Sequence, residues 1–313
     1  DRAISGASVA GDFSGDGIAD IAIARTSRDT PGGISLILGK GNGEFASPRM
    51  VEDGFSNSAE QMRSLALADF TGDGKLDLLN IAFGSPVLQP GIGNGTFITS
   101  GLTTAPRGSG ANITVGDIDG NGKLDFVSRA GDVRPIIGIN SGSGTFSTTV
   151  FRTPATGHFG NYSNQTQALG DFNGDGKLDL ALRNAAGVEV FLYPFPTDPN
   201  IDNTPFFTLT LTPIDSIDSS NNPRPSVPYA GDLDGDGKVD LLTYSINGAN
   251  DNLQFFKGNG NGTFGAGVGV GSGYGGVTNM FLRDLDGDGK LDLLTSGNTI
   301  YFAKGLGDGS FFA

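Results

Sequence analysis

The chain has 313 residues and a formal net charge of −14, with 52 glycines, one histidine and no cysteine or tryptophan. The lack of cysteine excludes a disulfide framework, and no apolar run approaches the roughly 18 residues that a membrane-spanning helix needs. Clustered, uncompensated lysine and arginine, which nucleic-acid binding requires, are also missing, so we predict neither a nucleic-acid partner nor membrane insertion.

Most of the acidic residues fall in a nine-residue segment that occurs six times. The copies, which we call Asp loops 1 to 6, are Asp12–Asp20, Asp69–Asp77, Asp117–Asp125, Asp171–Asp179, Asp232–Asp240 and Asp284–Asp292. Every copy has oxygen-bearing side chains at positions 1, 3, 5 and 9 and glycine at position 6. Calcium suits this pattern, because it accepts roughly six to eight oxygen ligands in flexible geometry. The sequence therefore predicts up to six Ca²⁺ ions, which would cancel most of the negative charge.

The predicted ligands are the side chains at positions 1, 3, 5 and 9 and the backbone carbonyl at position 7. They are Asp12, Ser14, Asp16, Ile18, Asp20, Asp69, Thr71, Asp73, Lys75, Asp77, Asp117, Asp119, Asn121, Lys123, Asp125, Asp171, Asn173, Asp175, Lys177, Asp179, Asp232, Asp234, Asp236, Lys238, Asp240, Asp284, Asp286, Asp288, Lys290 and Asp292. The side chain at position 7, a lysine in five loops, is expected to point into water. Because affinity rises with ligand charge, loops 5 and 6, with four aspartates each, are predicted to fill first.

Short apolar segments before and after each Asp loop predict two strands, A and B. The A segments are Ser8–Ala10, Leu65–Ala68, Ile113–Val115, Gln167–Leu169, Val227–Ala230 and Met280–Leu282. The B segments are Ile21–Ala24, Leu78–Ala82, Phe126–Val127, Leu180–Leu182, Leu241–Tyr244 and Leu293–Leu294. This strand–loop–strand order, together with the lack of glutamate at position 12, excludes an EF-hand.

A second repeated segment is rich in glycine and ends in phenylalanine. These Gly turns end at Phe45, Phe97, Phe146, Phe264 and Phe311, while the fourth repeat has the Pro-rich stretch Pro194–Pro205 instead. Asn-Gly and Asp-Gly pairs in such runs predict tight hairpins, here between strands C and D. The repeats begin roughly 50–60 residues apart, which is typical of propellers and other repeat arrays.

Four antiparallel strands per repeat predict an all-β fold, a six-bladed β-propeller whose calcium loop lies between strands A and B of each blade. An open β array is the alternative. We predict a single domain over residues 1–313 with blades at approximately 7–55, 61–105, 111–155, 164–215, 226–272 and 277–313.

The DxDxDGxxD loops and the Gly turns ending in phenylalanine resemble FG-GAP/VCBS repeats, the calcium-bearing blades of integrin-α-like propellers. The resemblance spans nearly the whole chain and implies both the fold and the metal, whereas it implies function only weakly. Integrin-type heads have seven blades, but no interval here is long enough for a seventh, so six are expected. Neither an integrin metal-dependent adhesion module nor the tryptophan-containing sugar sites of related fungal lectins are visible.

Arginine is predicted to collect at the rim opposite the Asp loops. This Arg-bearing rim is defined by Arg25, Arg28, Arg63, Arg107, Arg129, Arg134, Arg152, Arg183 and Arg224, with His158, Tyr162, Tyr244 and Tyr274 on the same rim. Arginine suits bidentate recognition of carboxylate, sulfate or phosphate, so a protein or an anionic glycan is the predicted partner. The alternative is that these arginines pair with acidic residues of the same rim.

The last repeat leaves little sequence for a fourth strand after Phe311. A short or missing outer strand leaves an unpaired edge on blade 6, which invites strand addition and hence self-assembly. A merely short edge is the alternative.

These observations favour an extracellular or cell-surface module that calcium stabilises and that acts in adhesion or as a scaffold without catalysis. Millimolar calcium outside cells suits many sites of moderate affinity. A carbohydrate-binding lectin is the first alternative, and a polysaccharide lyase or hydrolase is the second. With one histidine and no cysteine, the chain cannot form the catalytic triads and dyads that need a cysteine or more than one histidine.

Overall fold

The computed structural model describes most of the six repeats. The described residues are 8–25, 33–51, 65–82, 85–98, 113–130, 134–150, 167–183, 187–195, 207–210, 227–245, 252–272, 279–296 and 300–312. Within these ranges the chain forms 23 strands and no helix, which confirms the all-β class.

The strands are short, and most of them have four to six residues. In chain order they are β1 (Ser8–Gly11), β2 (Asp20–Arg25), β3 (Gly33–Ile37), β4 (Arg49–Val51), β5 (Leu65–Ala68), β6 (Asp77–Ala82), β7 (Ser85–Gln89), β8 (Ile113–Gly116), β9 (Asp125–Ala130), β10 (Arg134–Asn140), β11 (Phe146–Val150), β12 (Gln167–Gly170), β13 (Asp179–Arg183), β14 (Gly187–Phe191), β15 (Phe207–Thr210), β16 (Val227–Gly231), β17 (Asp240–Ser245), β18 (Asn252–Phe256), β19 (Val268–Ser272), β20 (Asn279–Arg283), β21 (Asp292–Ser296), β22 (Tyr301–Gly305) and β23 (Phe311–Phe312).

Consecutive strands pair antiparallel to form six separate sheets. Sheets 1 to 6 are β1–β4, β5–β7, β8–β11, β12–β15, β16–β19 and β20–β23. Sheet 2 has three strands within the described residues, followed by a bridge between Gly91 and Phe97. Each Asp loop joins the first two strands of its sheet, as predicted. Six such sheets in chain order are consistent with a six-bladed propeller.

The sheets belong to two compact units. Unit 1 comprises Asp1–Asp117 and Asn121–Arg152 and contains sheets 1 to 3 apart from three loop residues, whereas unit 2 comprises Ile118–Gly120 and Thr153–Ala313 and contains sheets 4 to 6. The single domain over 1–313 and the six blade limits stay predictions.

The second strand of a middle sheet contributes to two cores at once. In unit 2, Leu241 of β17 packs in a cluster with Ala181 and Val190 of sheet 4. Its neighbour Leu242 packs in a second cluster with Leu293 of sheet 6. Successive side chains of a strand point to opposite faces, so a strand buried on both faces must be apolar at consecutive positions. This requirement explains the uninterrupted apolar B segments of the sequence.

Position 2 of an Asp loop packs against the phenylalanine that ends the Gly turn of the next sheet. The ring centroids of these pairs lie 5.6 Å apart for Phe13–Phe97, 5.9 Å for Phe70–Phe146 and 5.4 Å for Phe172–Phe264. In sheet 5, Leu233 takes this position and packs in the same core as Phe311.

Backbone hydrogen bonds reinforce this packing between neighbouring sheets. The carbonyl oxygen of position 2 accepts an N–H from the Gly turn of the next sheet, at 2.9 Å for Gly95 to Phe13, 2.8 Å for Gly262 to Phe172 and 3.0 Å for Gly309 to Leu233. In sheet 3 a side chain does this instead, because Nδ2 of Asn140 donates to the oxygen of Phe70 at 2.8 Å. At the end where the Asp loop lies, each sheet is therefore hydrogen-bonded to a neighbouring sheet of the same unit.

Truncation of Leu241 tests the two-sided core. Leu241 is fully buried, so Leu241→Ala should lower the free energy of unfolding by about 2–5 kcal/mol, measured by urea denaturation. Val268→Ala in the same sheet is the control, because Val268 is 57% exposed, and it should cost less than about 1 kcal/mol. Similar losses for both variants would contradict the packing described here.

Candidate metal centres

Two glycines give each Asp loop its curvature. In loop 5, Gly235 and Gly237 have φ values of 76° and 81°, and positions 4 and 6 of the other five loops behave in the same way. Residues with a side chain rarely adopt this left-handed conformation, which explains why glycine occurs at both positions of every copy. The turns direct the backbone N–H groups of the loop toward its first residue.

The carboxylate at position 1 is held inside the loop by these N–H groups. In loop 5, Oδ1 of Asp232 accepts from Gly235 at 2.8 Å and Oδ2 accepts from Gly237 at 2.9 Å. The same pair of bonds occurs in loops 1, 2, 4 and 6. Each carboxylate oxygen has a second lone pair, so the bonds orient this group and leave it able to bind a cation.

The aspartate at position 9 is fully buried in all six loops. In loop 5, Oδ2 of Asp240 accepts the N–H of Leu233 at 2.9 Å, and Oδ1 accepts that of Gly258, the first residue of the Gly turn, at 2.7 Å. A Cβ added at Gly258 would lie 2.1 Å from the oxygen of Val239, so this approach requires glycine. The side chain at position 9 thus joins the loop, strand B and the turn after strand C.

Burial changes the acidity of two of these aspartates, Asp179 and Asp240. Burial raises the pKa of Asp240 and raises the pKa of Asp179 to about 6. The hydrogen bonds that each carboxylate accepts from backbone N–H groups oppose this increase. The neighbouring carboxylates Asp171 and Asp175 raise the pKa of Asp179 further. A bound divalent cation would have the opposite effect, because its charge favours the ionised carboxylate.

Three Asp loops bring three carboxylates close enough to share one ion. In each of these groups, single oxygens of positions 1, 3 and 9 all lie within 4.8 Å of one another. The groups are Asp117, Asp119 and Asp125; Asp232, Asp234 and Asp240; and Asp284, Asp286 and Asp292. They are the loops with aspartate at position 3, where loops 1, 2 and 4 have Ser14, Thr71 and Asn173.

This donor set fits a hard divalent cation, because it consists of carboxylate oxygens that are already oriented by backbone N–H groups. At position 5 of loop 5, Oδ1 of Asp236 accepts the N–H of Lys238 at 3.0 Å. The structure therefore brings positions 1, 3 and 9 together in three loops. Calcium occupancy, the ligand roles of position 5 and the carbonyls of position 7 stay predictions.

A family model described as an FG-GAP-like repeat matches residues 12–80, 117–182 and 171–243, which include Asp loops 1 to 5. The chain belongs to this family. The matches together cover more than half of the chain, and they confirm the resemblance seen in the sequence. No curated protein sequence matches this FG-GAP repeat chain.

Solved structures share the fold at low sequence identity. An Agrocybe aegerita lectin described as recognising non-reducing terminal N-acetylglucosamine has a TM-score of 0.64 and 21% identity, over 99% of this chain and 80% of that chain. The rhamnogalacturonan lyase YesW has a TM-score of 0.53 and 13% identity, over 99% of this chain and 57% of the lyase chain. A chain of the humanized Chaetomium thermophilum Polycomb Repressive Complex 2, bound to GSK126, has a TM-score of 0.59 and 10% identity, over 94% and 66% of the two chains. At these identities the likeness shows the fold alone.

The lysines at position 7 of the FG-GAP repeats do not simply extend into water. The side chains of Lys75, Lys238 and Lys290 lie against the Gly turn of their own repeat, and Nζ of Lys290 donates to the oxygen of Leu306 at 2.9 Å. In repeat 4, which lacks a Gly turn, Nζ of Lys177 lies 4.8 Å from the centre of the Tyr193 ring. Lys75, Lys123, Lys238 and Lys290 are exposed, as expected, while the turn after strand C lies beside their aliphatic stems.

Two further lysines contact the Asp loops, and the sequence did not predict their role. Nζ of Lys257 contacts Asp234 and lies 2.8 Å from Oδ2 of Asp236. Nζ of Lys304 contacts Asp286 and lies 3.0 Å from Oδ2 of Asp288. The paired carboxylates raise the pKa of both lysines. The sequence does carry a signal for this contact. The residue just before the turn after strand C is lysine in repeats 5 and 6 alone.

The Arg-bearing rim is largely outside the described part of the FG-GAP repeats. Among its arginines, Arg183 has a described side chain, which is half-buried at the end of β13. The side chains of Arg25, Arg129 and Arg134 lie outside the description, as do residues Arg28, Arg63, Arg107, Arg152, Arg224, His158, Tyr162 and Tyr274. Tyr244 does not belong to an exposed rim, because it is buried in the core with Leu242 and Met280. Partner binding at this rim stays a prediction.

No stretch of the described chain forms a helix with the length and hydropathy that crossing a bilayer requires.

Replacement of Asp240 by asparagine tests the junction at position 9. The amide can accept only through its one oxygen, so one of two buried N–H groups loses its partner and the free energy of unfolding should fall by about 1–3 kcal/mol. Urea denaturation in calcium-free buffer measures this effect without any contribution from metal. Asp308→Asn is the matched control, because Asn42, Asn94 and Asn261 occupy the equivalent place in other Gly turns. Equal stability of the two variants would argue against a structural junction.

Proposed function

We propose that this FG-GAP repeat chain is an extracellular, calcium-stabilised interaction module that acts in adhesion or as a surface scaffold without catalysis. The observation that carries the proposal is the cluster of oriented carboxylates at positions 1, 3 and 9, found in loops 3, 5 and 6. FG-GAP repeats are typical of extracellular proteins, which supports the setting. Calcium at millimolar concentration there would fill sites of moderate affinity.

The residues of each Asp loop have distinct parts in holding the ion. In loop 5, Asp232 and Asp240 are fixed by backbone N–H groups before any cation arrives. Asp234 and Asp236, whose side chains are 12% and 27% exposed, complete the acidic set. A bound calcium ion supplies positive charge that joins these carboxylates. Because Asp240 also binds the Gly turn, the ion would stiffen the end of the sheet.

An interaction role follows from the division of each sheet into two ends. The Asp loops and Gly turns lie at one end of the strands, and the predicted Arg-bearing rim would lie at the other. The loops would stabilise the scaffold, and the opposite rim would present variable side chains. The partner we propose there is a protein or an anionic glycan, which arginine recognises through paired hydrogen bonds.

A lectin is the second candidate. It is supported by the likeness to the N-acetylglucosamine-binding lectin of Agrocybe aegerita, which extends over 99% of this chain. The likeness to a rhamnogalacturonan lyase, at 13% identity, keeps a polysaccharide-active enzyme as a third candidate.

Calcium removal tests the stabilising role. Thermal unfolding of the full chain should shift to lower temperature in EGTA and recover with excess calcium, while equimolar magnesium should not restore it. At a free calcium concentration 100 times the dissociation constant, each independent site adds about 2.7 kcal/mol to the free energy of unfolding. The same midpoint with EGTA and with calcium would overturn the proposal.

A glycan array probed with and without EGTA separates the candidate functions. The proposal expects no turnover of acidic polysaccharides, measured as new reducing ends. Calcium-dependent binding of a defined neutral sugar, such as terminal N-acetylglucosamine, would favour the lectin. Release of reducing ends from an acidic polysaccharide would establish the enzyme and contradict a module without catalysis.

A further inference from the structure

Lys257 and Lys304 place a positive charge inside Asp loops 5 and 6. Lys257 follows β18 and reaches the carboxylates at positions 3 and 5 of loop 5, Asp234 and Asp236. Lys304 lies in β22 and reaches the equivalent pair of loop 6. Asp234 has a side chain only 12% exposed, so its contact with the ammonium group is partly shielded from solvent. Two sheets thus make the same unusual contact independently.

The identity of the residue before the Gly turn explains why a lysine contacts positions 3 and 5 together in loops 5 and 6 alone. In every repeat the next residue donates its N–H to the buried aspartate at position 9, so the six places are structurally equivalent. The preceding residue is apolar in repeats 1 to 4, where it is Leu38, Pro90, Ile139 and Leu192. Lysine occurs in the two repeats whose loops have aspartate at both position 3 and position 5.

The distribution of lysine therefore follows the local charge. Loop 3 has aspartate at position 3 but Asn121 at position 5, and the residue before its turn is Ile139. Lys40 offers a useful contrast, because it lies two residues after the corresponding place, Leu38, and pairs with Glu44 at 3.9 Å. Closeness of a lysine to an Asp loop in sequence is thus insufficient, and the side chain must leave the strand at the right register.

An ammonium group at this place competes with a metal ion for the same oxygens. Lysine has three N–H donors and no acceptor, so it satisfies carboxylates that would otherwise repel one another. A calcium ion that uses Asp234 and Asp236 must displace Nζ of Lys257 or share these oxygens with it. Either process lowers the apparent affinity of the loop for calcium.

We propose that Lys257 and Lys304 are tethered cations that neutralise Asp loops 5 and 6 in the absence of metal and weaken their binding of calcium. This inference rests on the proposed calcium-stabilised function and refines it. Loops 5 and 6, which ligand charge alone ranks first, do not fill first. They keep their shape when calcium is scarce and respond at higher calcium concentrations than their four aspartates indicate.

The test compares individual loops of the full chain by hydrogen exchange and mass spectrometry across a series of free calcium concentrations. The variant is Lys257→Leu/Lys304→Leu, because leucine occupies the equivalent place in repeats 1 and 4. Loss of the partly exposed ion pairs should lower the calcium concentration for half-protection of loops 5 and 6 by about three- to tenfold. In EGTA the same two loops should exchange faster than in the unmodified chain.

Loops 2 and 4 serve as internal references, and their midpoints should not move. Lys40→Leu is the matched control variant and should leave all loops unchanged. If the double leucine variant does not fold, Lys257→Gln/Lys304→Gln removes the charges while keeping polar side chains of similar length. Circular dichroism in excess calcium verifies the fold of each variant.

Unchanged or higher midpoints for loops 5 and 6 in a folded variant would overturn the role of the lysines. Earlier filling of loops 5 and 6 than of loops 2 and 4 in the unmodified chain would also contradict it. If the unmodified chain shows no calcium-dependent protection in any loop, the proposed function fails, and the lysine assignment fails with it. If calcium protects the loops of the unmodified chain but the midpoints of loops 5 and 6 are the same in the double variant, the lysine assignment alone is overturned.

Discussion

A buried aspartate at the end of each Asp loop is the constraint on which the rest of the structure depends. In loop 5 its two oxygens accept N–H groups from the loop and from the Gly turn, so one side chain joins segments that are 18–25 residues apart. The bond from the turn after strand C recurs in every sheet, although its donor varies from glycine to Asn140 and Tyr193. A carboxylate can occupy so apolar a place only because both of its oxygens have donors. Once it is in place, the carboxylates of the loop converge.

The loops and the strands around them were predictable because local chemistry determines them. Glycine at positions 4 and 6 is required by the left-handed backbone of loops such as Gly235–Gly237, and this requirement is visible in six aligned copies. Strands A and B follow from the apolar segments on either side. The absence of a Gly turn in repeat 4 was also visible, and Tyr193 takes over its donor to Asp179.

Contacts between segments distant in sequence were not predictable in the same way. Lys257 meets Asp234 because strand C ends beside the loop that precedes strand B, and the register of both strands decides which side chain arrives there. The sequence predicted Tyr244 on the Arg-bearing rim, whereas the structure buries it in the core with Leu242 and Met280. In each case a pattern within one repeat carried no information about the neighbouring strand or sheet. Those relations depend on packing, which a repeat length does not specify.

The double coverage of strand B has a consequence for the way these repeats can be cut, inserted or evolved. Sheet 5 contributes Leu241 to one core and Leu242 to another, so neither core lies within a single repeat. A repeat excised by itself would expose two apolar surfaces and would have nothing to cover either of them. Stability in such an array comes from nearest neighbours. Duplication or loss of a repeat therefore creates a new pair of partners, and the viable junctions are those whose facing side chains are already complementary.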